Sequence, residues 1–456
     1  MLLRPTNLGN CLNVVAFTAC TFILAVVCTI LYGTRAEQPR LPNLVKEVLP
    51  AGRCQCESST VFTCSSCLDC APHQSHIRAN TTAGDELWSF SFQRDANNYG
   101  LDEKQCQTAF PGLYEDLERA RSHREATGNI TEAELGSFTL TKGMVRALVY
   151  RSELYILETF LVDNVNREKA VAALAALHRA LVSSPARATI PDIEFVLSVE
   201  DLPAQPNKPI WSLTRRVADE ELWLMPDFGF WSWDMPELGS FSEVAAEAIH
   251  SEAVQPWERK IEKLVWRGKV TYAPKLRHAL LDAARGKPWS DVGQVQWGDD
   301  ASFQKQFLGP IDQCDYMFIA HAEGRSYSGA LKYRQLCRSV IVAHELQWIQ
   351  HYHYLLVREG PRQNYVEVRR DFADLSEKME DLLAHPTKAK RIADNSVATF
   401  RERYLTPAAE ACYWRALIKS YRKVLDFEPS LYNSGEDGKR SGILRRGVRF
   451  ETFVYL

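Results

Sequence analysis

Apolar residues divide the chain into an N-terminal apolar run and a long region of short alternating elements. From residue 140 onward, apolar stretches of strand length alternate with segments whose apolar residues recur at helical spacing. The predicted strands are 144–150, 153–160, 193–199, 222–225, 264–266, 292–297, 316–320, 340–343 and 365–368. The predicted helices are 167–182, 275–284, 331–337, 374–383, 389–404 and 408–425.

Strands that alternate with helices are typical of βαβ units and parallel sheets. Two such halves meet near residue 245. We therefore predict an α/β protein in which two Rossmann-like domains, 85–245 and 246–405, face a cleft. A C-terminal helix and tail, 406–456, follow them. Ligands of such sheets bind beyond the carboxyl ends of the strands, so functional residues are expected there.

Residues 12–32 are almost wholly apolar, and no charged residue lies between Arg4 and Arg35. About 20 apolar residues in a helix match the hydrocarbon thickness of a bilayer. We therefore predict a transmembrane anchor at 12–32 after a short cytosolic tail at 1–11. A signal peptide and a buried core helix are the alternatives, although the apolar part of a signal peptide is usually shorter, roughly 7–15 residues.

A stem and cysteine-rich segment at 33–84 follows the predicted anchor. Asn80 and Asn129 each begin an N-glycosylation tripeptide. The spacing of the cysteines would suit zinc in a reducing compartment, but beside an anchor and glycosylation signals it favours disulfides. We therefore expect a single-pass type II protein of the Golgi or endoplasmic reticulum membrane, with its catalytic part in the lumen. The cysteines of this segment are Cys54, Cys56, Cys64, Cys67 and Cys70.

The overall composition is that of an ordinary globular protein, with 46% hydrophobic and 24% charged residues. The formal net charge is −3, and no basic excess favours a nucleic-acid partner.

Two candidate groups directly follow predicted strands. Asp201 ends the run 193–199 and is placed to remove a proton from a hydroxyl, although an aspartate before Pro203 also suits a turn. Arg267 and Gly268 close the strand 264–266. A guanidinium suits a pyrophosphate, and glycine allows close backbone approach, whereas the simpler interpretation is a surface arginine.

The segment 323–329 is the most informative stretch, because it joins a strand to the start of a helix whose amides would bind an anion. Glu323 is a candidate for the ribose hydroxyls, and Lys332 and Arg334 are candidates for phosphates. Ser326 and Ser328 belong to the same predicted donor-binding segment.

Aromatic and histidine pairs give weaker signals. Trp231 and Trp233 would either stack on a sugar or belong to the core. His351 and His353 lack a third ligand nearby in sequence, and no clear pair of acidic residues of the DxD type occurs. We therefore predict no metal site.

Taken together, several ordered motifs resemble glycosyltransferase family 90, the group of capsule-associated xylosyltransferases and protein O-glucosyltransferases. The resemblance covers about residues 85–425 and looks closest to fungal, type II membrane members. It implies a GT-B fold whose C-terminal half holds most of the donor nucleotide. The motifs lie at 198–203, 226–233, 266–269, 314–342, 363–375 and 412–425.

The resemblance also implies roles for single residues. Asp201 corresponds to the family's acid, acting as a base, and Arg267 to its diphosphate-binding arginine. Ser328 and Lys332 correspond to its S-x-x-x-K helix start. Animal protein O-glucosyltransferases carry an arginine where this chain has Ala330. Its contact would be missing or come from elsewhere, such as Arg325 or Arg334, which leaves the sugar open.

The family's disulfides fall on cysteines of this chain as well. The resemblance implies a bond between Cys314 and Cys337, and a bond from Cys412 to the N-terminal cysteine region.

The predicted function is inverting transfer of xylose, glucose or galactose from a UDP-sugar to a hydroxyl of a glycan or glycoprotein in the secretory pathway. Arg267, Lys332 and the amides of 326–330 would stabilise the UDP leaving group without a metal or other cofactor. The expected partners are the UDP-sugar, the acceptor and the membrane, with no nucleic acid. The alternatives are an inactive lumenal carbohydrate-binding homologue, a glycoside hydrolase with two carboxylates, and a zinc module.

Overall fold

The computed structural model describes residues 21, 23–26, 88–232, 238–295, 306–432 and 445–456. The chain divides into two compact units, residues 1–86 and Leu87–Leu456. The described residues of the first unit are helical and belong to the predicted anchor. Within the part of the chain that the structure describes, no helix has the length and apolar character needed to cross a bilayer. The cysteines at 54–70, Asn80 and Trp233 lie outside the described residues.

The strands and helices of the second unit follow the predicted alternation. The strands are β1 Met144–Tyr150, β2 Glu153–Phe160, β3 Ile193–Ser198, β4 Trp211–Ser212, β5 Trp223–Leu224, β6 Ile261–Gly268, β7 Ser290–Gln294, β8 Tyr316–His321, β9 Val340–His344, β10 Val366–Val368 and β11 Val448–Arg449. The helices are α1 Phe92–Asp95, α2 Glu103–Ala109, α3 Glu115–Thr127, α4 Glu132–Gly136, α5 Asn164–Val182, α6 Phe241–Val254, α7 Pro274–Ala284, α8 Pro310–Gln313, α9 Ala330–Arg334, α10 Leu375–Ala384, α11 Pro386–Thr399, α12 Pro407–Arg422 and α13 Phe450–Phe453.

The first sheet has the strand order β11-β2-β1-β3-β4-β5 and is mixed, so the prediction of a parallel sheet in this half is wrong for part of it. Strand β1 pairs antiparallel with both β2 and β3, whereas β3, β4 and β5 are mutually parallel. Only Arg151 and Ser152 separate β1 from β2, and both adopt positive φ, 51° and 62°. A two-residue connection of this kind forms a hairpin, which makes the strands antiparallel.

The second sheet is parallel throughout, with the order β10-β9-β8-β6-β7. From β6 the chain passes to β7 on one side and then returns to place β8 on the other side of β6. The strand order therefore reverses between β6 and β8. In open α/β sheets this reversal opens a crevice at the carboxyl ends of the two strands, where ligands bind.

Helix α12 covers the first sheet with large aromatic side chains. Tyr413, Trp414 and Tyr421 are fully buried, and the ring of Tyr421 lies edge-on to Trp211, with centroids 5.5 Å apart. A disulfide between Cys106 and Cys412 ties α2 to this helix. The implied disulfide of Cys412 is thus confirmed, and its partner, Cys106, lies beyond the segment 33–84.

The other implied disulfide is confirmed as well, because Cys314 is bonded to Cys337. This disulfide joins a residue just before β8 to a residue just after α9, and so links the two ends of this βα unit.

Candidate active site

A cleft of about 490 Å³ lies at the reversal point of the second sheet, and residues that follow β3 and β5 of the first sheet form its opposite wall. Its charged lining is asymmetric. Two acidic residues come from the first half of the chain, Asp201 and Asp227, and six basic residues come from the second half, Arg267, Lys269, Arg277, Arg325, Lys332 and Arg334. Among the described residues, the cleft therefore combines a large positive surface with two carboxylates facing it.

Asp201 lies where the sequence predicts, just beyond the carboxyl end of β3. Its Oδ1 is 3.5 Å from Nζ of Lys169 on α5, and its side chain is 43% exposed. Its backbone oxygen accepts a hydrogen bond of 2.6 Å from Oγ of Ser326, which comes from the loop after β8. The carboxylate is thus fixed in position yet open to an incoming hydroxyl.

Arg267 lines the cleft, but most N–H groups of its guanidinium already donate hydrogen bonds to protein oxygens. Nε donates to the carbonyl of Gln306 at 2.9 Å, and Nη2 donates to Oδ1 of Asp291 at 2.7 Å. Burial alone would raise the pKa of Asp291, but hydrogen bonds from Tyr316 and Arg267 outweigh it and lower that pKa. Arg267 is therefore a rigid part of the wall with little donor capacity left.

Gly268 is required for a reason other than the predicted one. A Cβ at this position would lie 2.6 Å from the indole of Trp266. Packing against its neighbour's ring therefore excludes a side chain here, with no ligand involved.

Arg334 and Arg277 are the two buried cations of the cleft lining that lack a carboxylate partner among the described residues. Both are buried, and neither forms an ion pair with a carboxylate in the described part of the chain. Nη1 of Arg334 contacts Nδ1 of His321 at 3.0 Å, and Nε of Arg277 donates to the carbonyl of Glu323 at 3.0 Å. Burial lowers the pKa of Arg277 to about 10, and burial together with repulsion from Arg277 lowers that of Arg334 to about 9.

Burial of two adjacent guanidiniums in a desolvated position disfavours their charged forms. A bound dianion would relieve this cost. These two side chains therefore form the most specific anion site in the cleft.

Lys332 also lines the cleft, as predicted, but it has a buried partner that the sequence did not suggest. Its Nζ lies 2.9 and 3.0 Å from the two oxygens of Asp227, and it donates to the carbonyl of Gly329 at 3.0 Å. Both side chains are almost fully buried.

Glu323 does not reach the cleft lining, in contrast to the predicted ribose contact. Its Oε1 accepts hydrogen bonds from the amides of Gln347 and Trp348, both at 2.8 Å, and Oε2 accepts one from Arg370 at 2.9 Å. Glu323 therefore anchors the loop after β9 behind the cleft.

Ser326 is also kept from a ligand, because it is fully buried and its hydroxyl binds the backbone of Asp201. Ser328 does line the cleft. The helix after it is shorter than predicted, because α9 ends at Arg334. The dipole of so short a helix adds little to anion binding.

Trp231 lies outside the cleft lining, and its ring packs 4.0 Å from the guanidinium of Arg179. Of the two interpretations given to Trp231, the structure favours packing. Asn129, the described glycosylation candidate, is exposed in the loop between α3 and α4.

His351 is buried and His353 is half-buried, and desolvation lowers the pKa of each to about 3. Within the described ranges, no three His, Cys, Asp or Glu side chains gather in a way that suits a metal ion.

Sequence reasoning missed Arg277 and Asp227. Arg277 has a detectable signal, because it lies three residues before Leu280 and so shares the apolar face of α7. Asp227 stands alone in an apolar, irregular segment, and only its contact with Lys332, 105 residues away, reveals a role.

Comparison with known proteins adds the family. The model of glycosyl transferase family 90 matches residues 102–437. The chain belongs to this family.

Curated relatives include an O-glucosyltransferase rumi homolog of Aedes aegypti, 24% identical over 52% of this chain and 63% of the relative. Protein O-glucosyltransferase 3 of Rattus norvegicus is 22% identical over 53% of this chain and 49% of its own length. The matched part of this family member thus spans about half to two thirds of these relatives.

Among solved structures, Anabaena HepE in complex with UDP and glucose is 16% identical over 41% of this chain and 53% of HepE, with a TM-score of 0.26. A similarity at that level carries no argument about this chain.

Proposed function

We propose that this family member is an inverting glycosyltransferase that moves a sugar from a UDP-sugar to a hydroxyl of a glycan or glycoprotein. The observation that carries the proposal is the pair of buried guanidiniums, Arg277 and Arg334, without carboxylate partners at the reversal point of the parallel sheet. A pyrophosphate supplies the charge that this pair lacks, and arginine suits it because it donates paired hydrogen bonds.

In the proposed reaction, Asp201 accepts the proton of the acceptor hydroxyl while the hydroxyl oxygen attacks the anomeric carbon. The bond from that carbon to the terminal phosphate oxygen of UDP breaks on the opposite face, so the configuration inverts. Lys169 orients the carboxylate. A general base of this kind typically contributes about 10²–10⁴ to the rate.

The negative charge that grows on UDP is met by Arg277 and Arg334, with Arg267 and Lys332 at the edges. Such charges, fixed in advance, are typically worth about 10²–10³ in rate for each donor group. We propose that these cations replace a metal ion. Of the two candidates to supply the contact missing at Ala330, Arg334 is better supported than Arg325, because it is buried in the wall of the cleft whereas Arg325 is exposed.

A glycoside hydrolase is less well supported, although the cleft holds two carboxylates. Hydrolysis needs one carboxyl group to give a proton to the leaving oxygen and the other to act from the opposite side. Asp227 is bound by an ammonium, an amide side chain and a backbone amide, and its side chain is 1% exposed, so its oxygens are not available to a leaving group.

The membrane and compartment assignments also belong to this proposal. Two disulfides joined within the described part, and the exposed Asn129, favour an oxidising lumen of the secretory pathway. Anchoring in the Golgi or endoplasmic reticulum membrane by residues 12–32 remains our proposal for the first unit. A mobility shift on enzymatic removal of N-glycans, lost in Asn129→Gln together with Asn80→Gln, would test the lumenal orientation.

The decisive experiment measures UDP binding by calorimetry and UDP release from UDP-glucose, UDP-xylose and UDP-galactose. We expect UDP to bind and one donor to release UDP well above the others. Binding without release from any donor would favour the inactive carbohydrate-binding homologue. Absence of UDP binding would refute the proposal.

A further inference from the structure

The carboxylate of Asp227 has no free acceptor position. Oδ1 accepts the backbone N–H of Gly229 at 2.8 Å and the ammonium of Lys332 at 2.9 Å. Oδ2 accepts the same ammonium at 3.0 Å and Nε2 of Gln350 at 3.1 Å. A carboxylate offers about four such positions, so this one is saturated by protein donors.

Asp227 differs in this respect from Asp201, the other acidic residue of the cleft, whose carboxylate is accessible. Asp201 keeps a side chain that is 43% exposed, whereas that of Asp227 is 1% exposed. Asp227 therefore neither takes a proton from an acceptor nor binds a sugar hydroxyl. Both of its carboxylate oxygens instead contact the ammonium of Lys332.

The backbone around Asp227 is shaped to fit that ammonium. A Cβ on Gly229 would lie 2.8 Å from Nζ of Lys332, so only glycine leaves the space that Lys332 occupies. The hydroxyl of Tyr333, the next residue along α9, donates to the carbonyl of Gly229 at 3.0 Å. The segment 227–230 and α9 thus hold one another in register across the cleft.

We propose that Asp227 is a positioning residue that fixes the ammonium of Lys332 in the wall of the cleft, so that its positive charge contributes to binding the phosphates of the donor. This inference rests on the proposed function, because it assigns Lys332 a part in donor binding. The cleft already contains Arg267, Arg277 and Arg334, and burial of a further cation beside them is costly unless a carboxylate offsets its charge. Asp227 supplies that carboxylate from the opposite wall.

The other groups facing Lys332 do not replace Asp227. Phe230 and Tyr333 present ring faces, with centroids 5.3 and 4.7 Å from Nζ. His351 is neutral, because burial lowers its pKa to about 3. Glu410 acts on Lys332 only at longer range, and burial raises its pKa to about 7.

The test is a double-mutant cycle on UDP affinity, measured by calorimetry with the full chain. Asp227→Asn retains the size of the side chain but removes its charge, and Lys332→Met removes the ammonium. We expect each change to weaken UDP binding roughly ten- to hundredfold, the size of one lost charged hydrogen bond. The double variant should bind UDP no more weakly than Lys332→Met alone.

Two results would overturn the inference: UDP affinity unchanged in Asp227→Asn, or losses that add in the double variant. Failure of the wild-type chain to bind UDP would instead refute the proposed function. The pH dependence of UDP affinity is a readout that a folding defect would not change. It should differ between Asp227→Asn and the double variant, because only the former keeps the ammonium of Lys332.

Asp116→Asn is the matched control. Asp116 forms a buried pair with Arg215 at 2.8 Å, outside the cleft lining, and should lose thermal stability without losing UDP affinity. If Asp227→Asn does not fold, Gly229→Ala takes its place. It keeps both charges but displaces the ammonium, so the same loss of UDP affinity is expected, and normal affinity would contradict the inference.

Discussion

The two sheets contribute opposite charges to the cleft. The first sheet supplies Asp201 after β3 and Asp227 after β5, and strand β6 together with the loops and helices of the second sheet supplies the six cations. The strands of the first sheet that end at the cleft are its parallel ones, whereas the antiparallel β1, β2 and β11 lead to no charged residue of the lining. Parallel strands end at a common edge, and in both sheets that edge carries the chemistry.

This difference separates two halves of the proposed reaction. In that proposal, the exposed Asp201 serves a step in which a proton leaves the acceptor. The buried cations Arg277, Lys332 and Arg334 serve a step in which negative charge gathers on the donor. Ser326 and Lys332 join the halves through Asp201 and Asp227 respectively. Substitutions on the two sides should therefore have separable effects on turnover and on donor affinity.

The largest effect is expected on the acidic side. Asp201→Asn should lower kcat by about 10²–10⁴, because the general base is lost, with UDP affinity within about twofold of wild type. Single-turnover kinetics and calorimetry measure the two quantities. Asp192→Asn, at the other end of β3, is the control and should leave both unchanged. Near-normal turnover in Asp201→Asn would show that another group is the base.

The next effect concerns a buried carboxyl behind the first sheet. Burial raises the pKa of Glu410 on α12 from 4.5 to about 7, against the opposing effects of Arg179 and Trp414. Between these values the unfolded chain has lost a proton that the folded protein keeps, so stability falls as pH rises through this window. The fall is at most about 3 kcal/mol.

Denaturant unfolding across that pH range should show the fall in wild type and not in Glu410→Gln. Glu402→Gln, an accessible carboxyl nearby, should retain the wild-type dependence. A wild-type stability that rises over the same range would show that Glu410 is charged in the folded protein.

On the basic side, Arg334→Met should weaken UDP binding roughly ten- to hundredfold. Its apo form should unfold at an equal or higher temperature, because a buried and uncompensated charge is removed. Arg338→Met is the control four residues along. Arg338 pairs with Glu252 and Asp394, so this variant should lose about 1 kcal/mol of stability and retain UDP affinity. Lower stability of Arg334→Met with unchanged affinity would assign Arg334 to structure instead.

The smallest effect is expected for the hydrogen bond from Ser326 to Asp201, which links the basic and the acidic sides of the cleft. Ser326→Ala removes the hydrogen bond to the Asp201 backbone, which is expected to cost about 1 kcal/mol and to reduce kcat several-fold. Ser339→Ala removes a bond of the same length, 2.6 Å to the carbonyl of Tyr316, within the second sheet alone. The two variants should lose similar stability, and only Ser326→Ala should lose turnover. Equal turnover in both would show that the Asp201 loop needs no anchor.

Much of the architecture is readable from the sequence, because apolar runs and turn residues act locally. The bounds of β1 and β2 are as predicted, and β8 differs by one residue. The hairpin at Arg151 and Ser152 carried enough information to predict an antiparallel pair, but the general alternation of strands and helices outweighed it. The pairing of β11 with β2 joins distant segments, and no local pattern indicates it.

The site divides in the same way. Asp201, Ser328 and Lys332 were found because each follows a strand or begins a helix at a motif of the family. Glu323 also directly follows a strand, but its carboxylate oxygens accept hydrogen bonds from the backbone amides at 347–348 and from Arg370. Competition of this kind depends on which loops meet in space, which the sequence alone does not show.

Helix α12 has a further consequence during synthesis. Apart from the edge strand β11, the first sheet is complete once β5 has been made, yet Tyr413, Trp414 and Tyr421 emerge much later. At roughly 5–20 residues per second, the apolar face that they cover stays exposed for about ten seconds or more. A nascent chain halted before residue 407 would therefore be expected to bind chaperones.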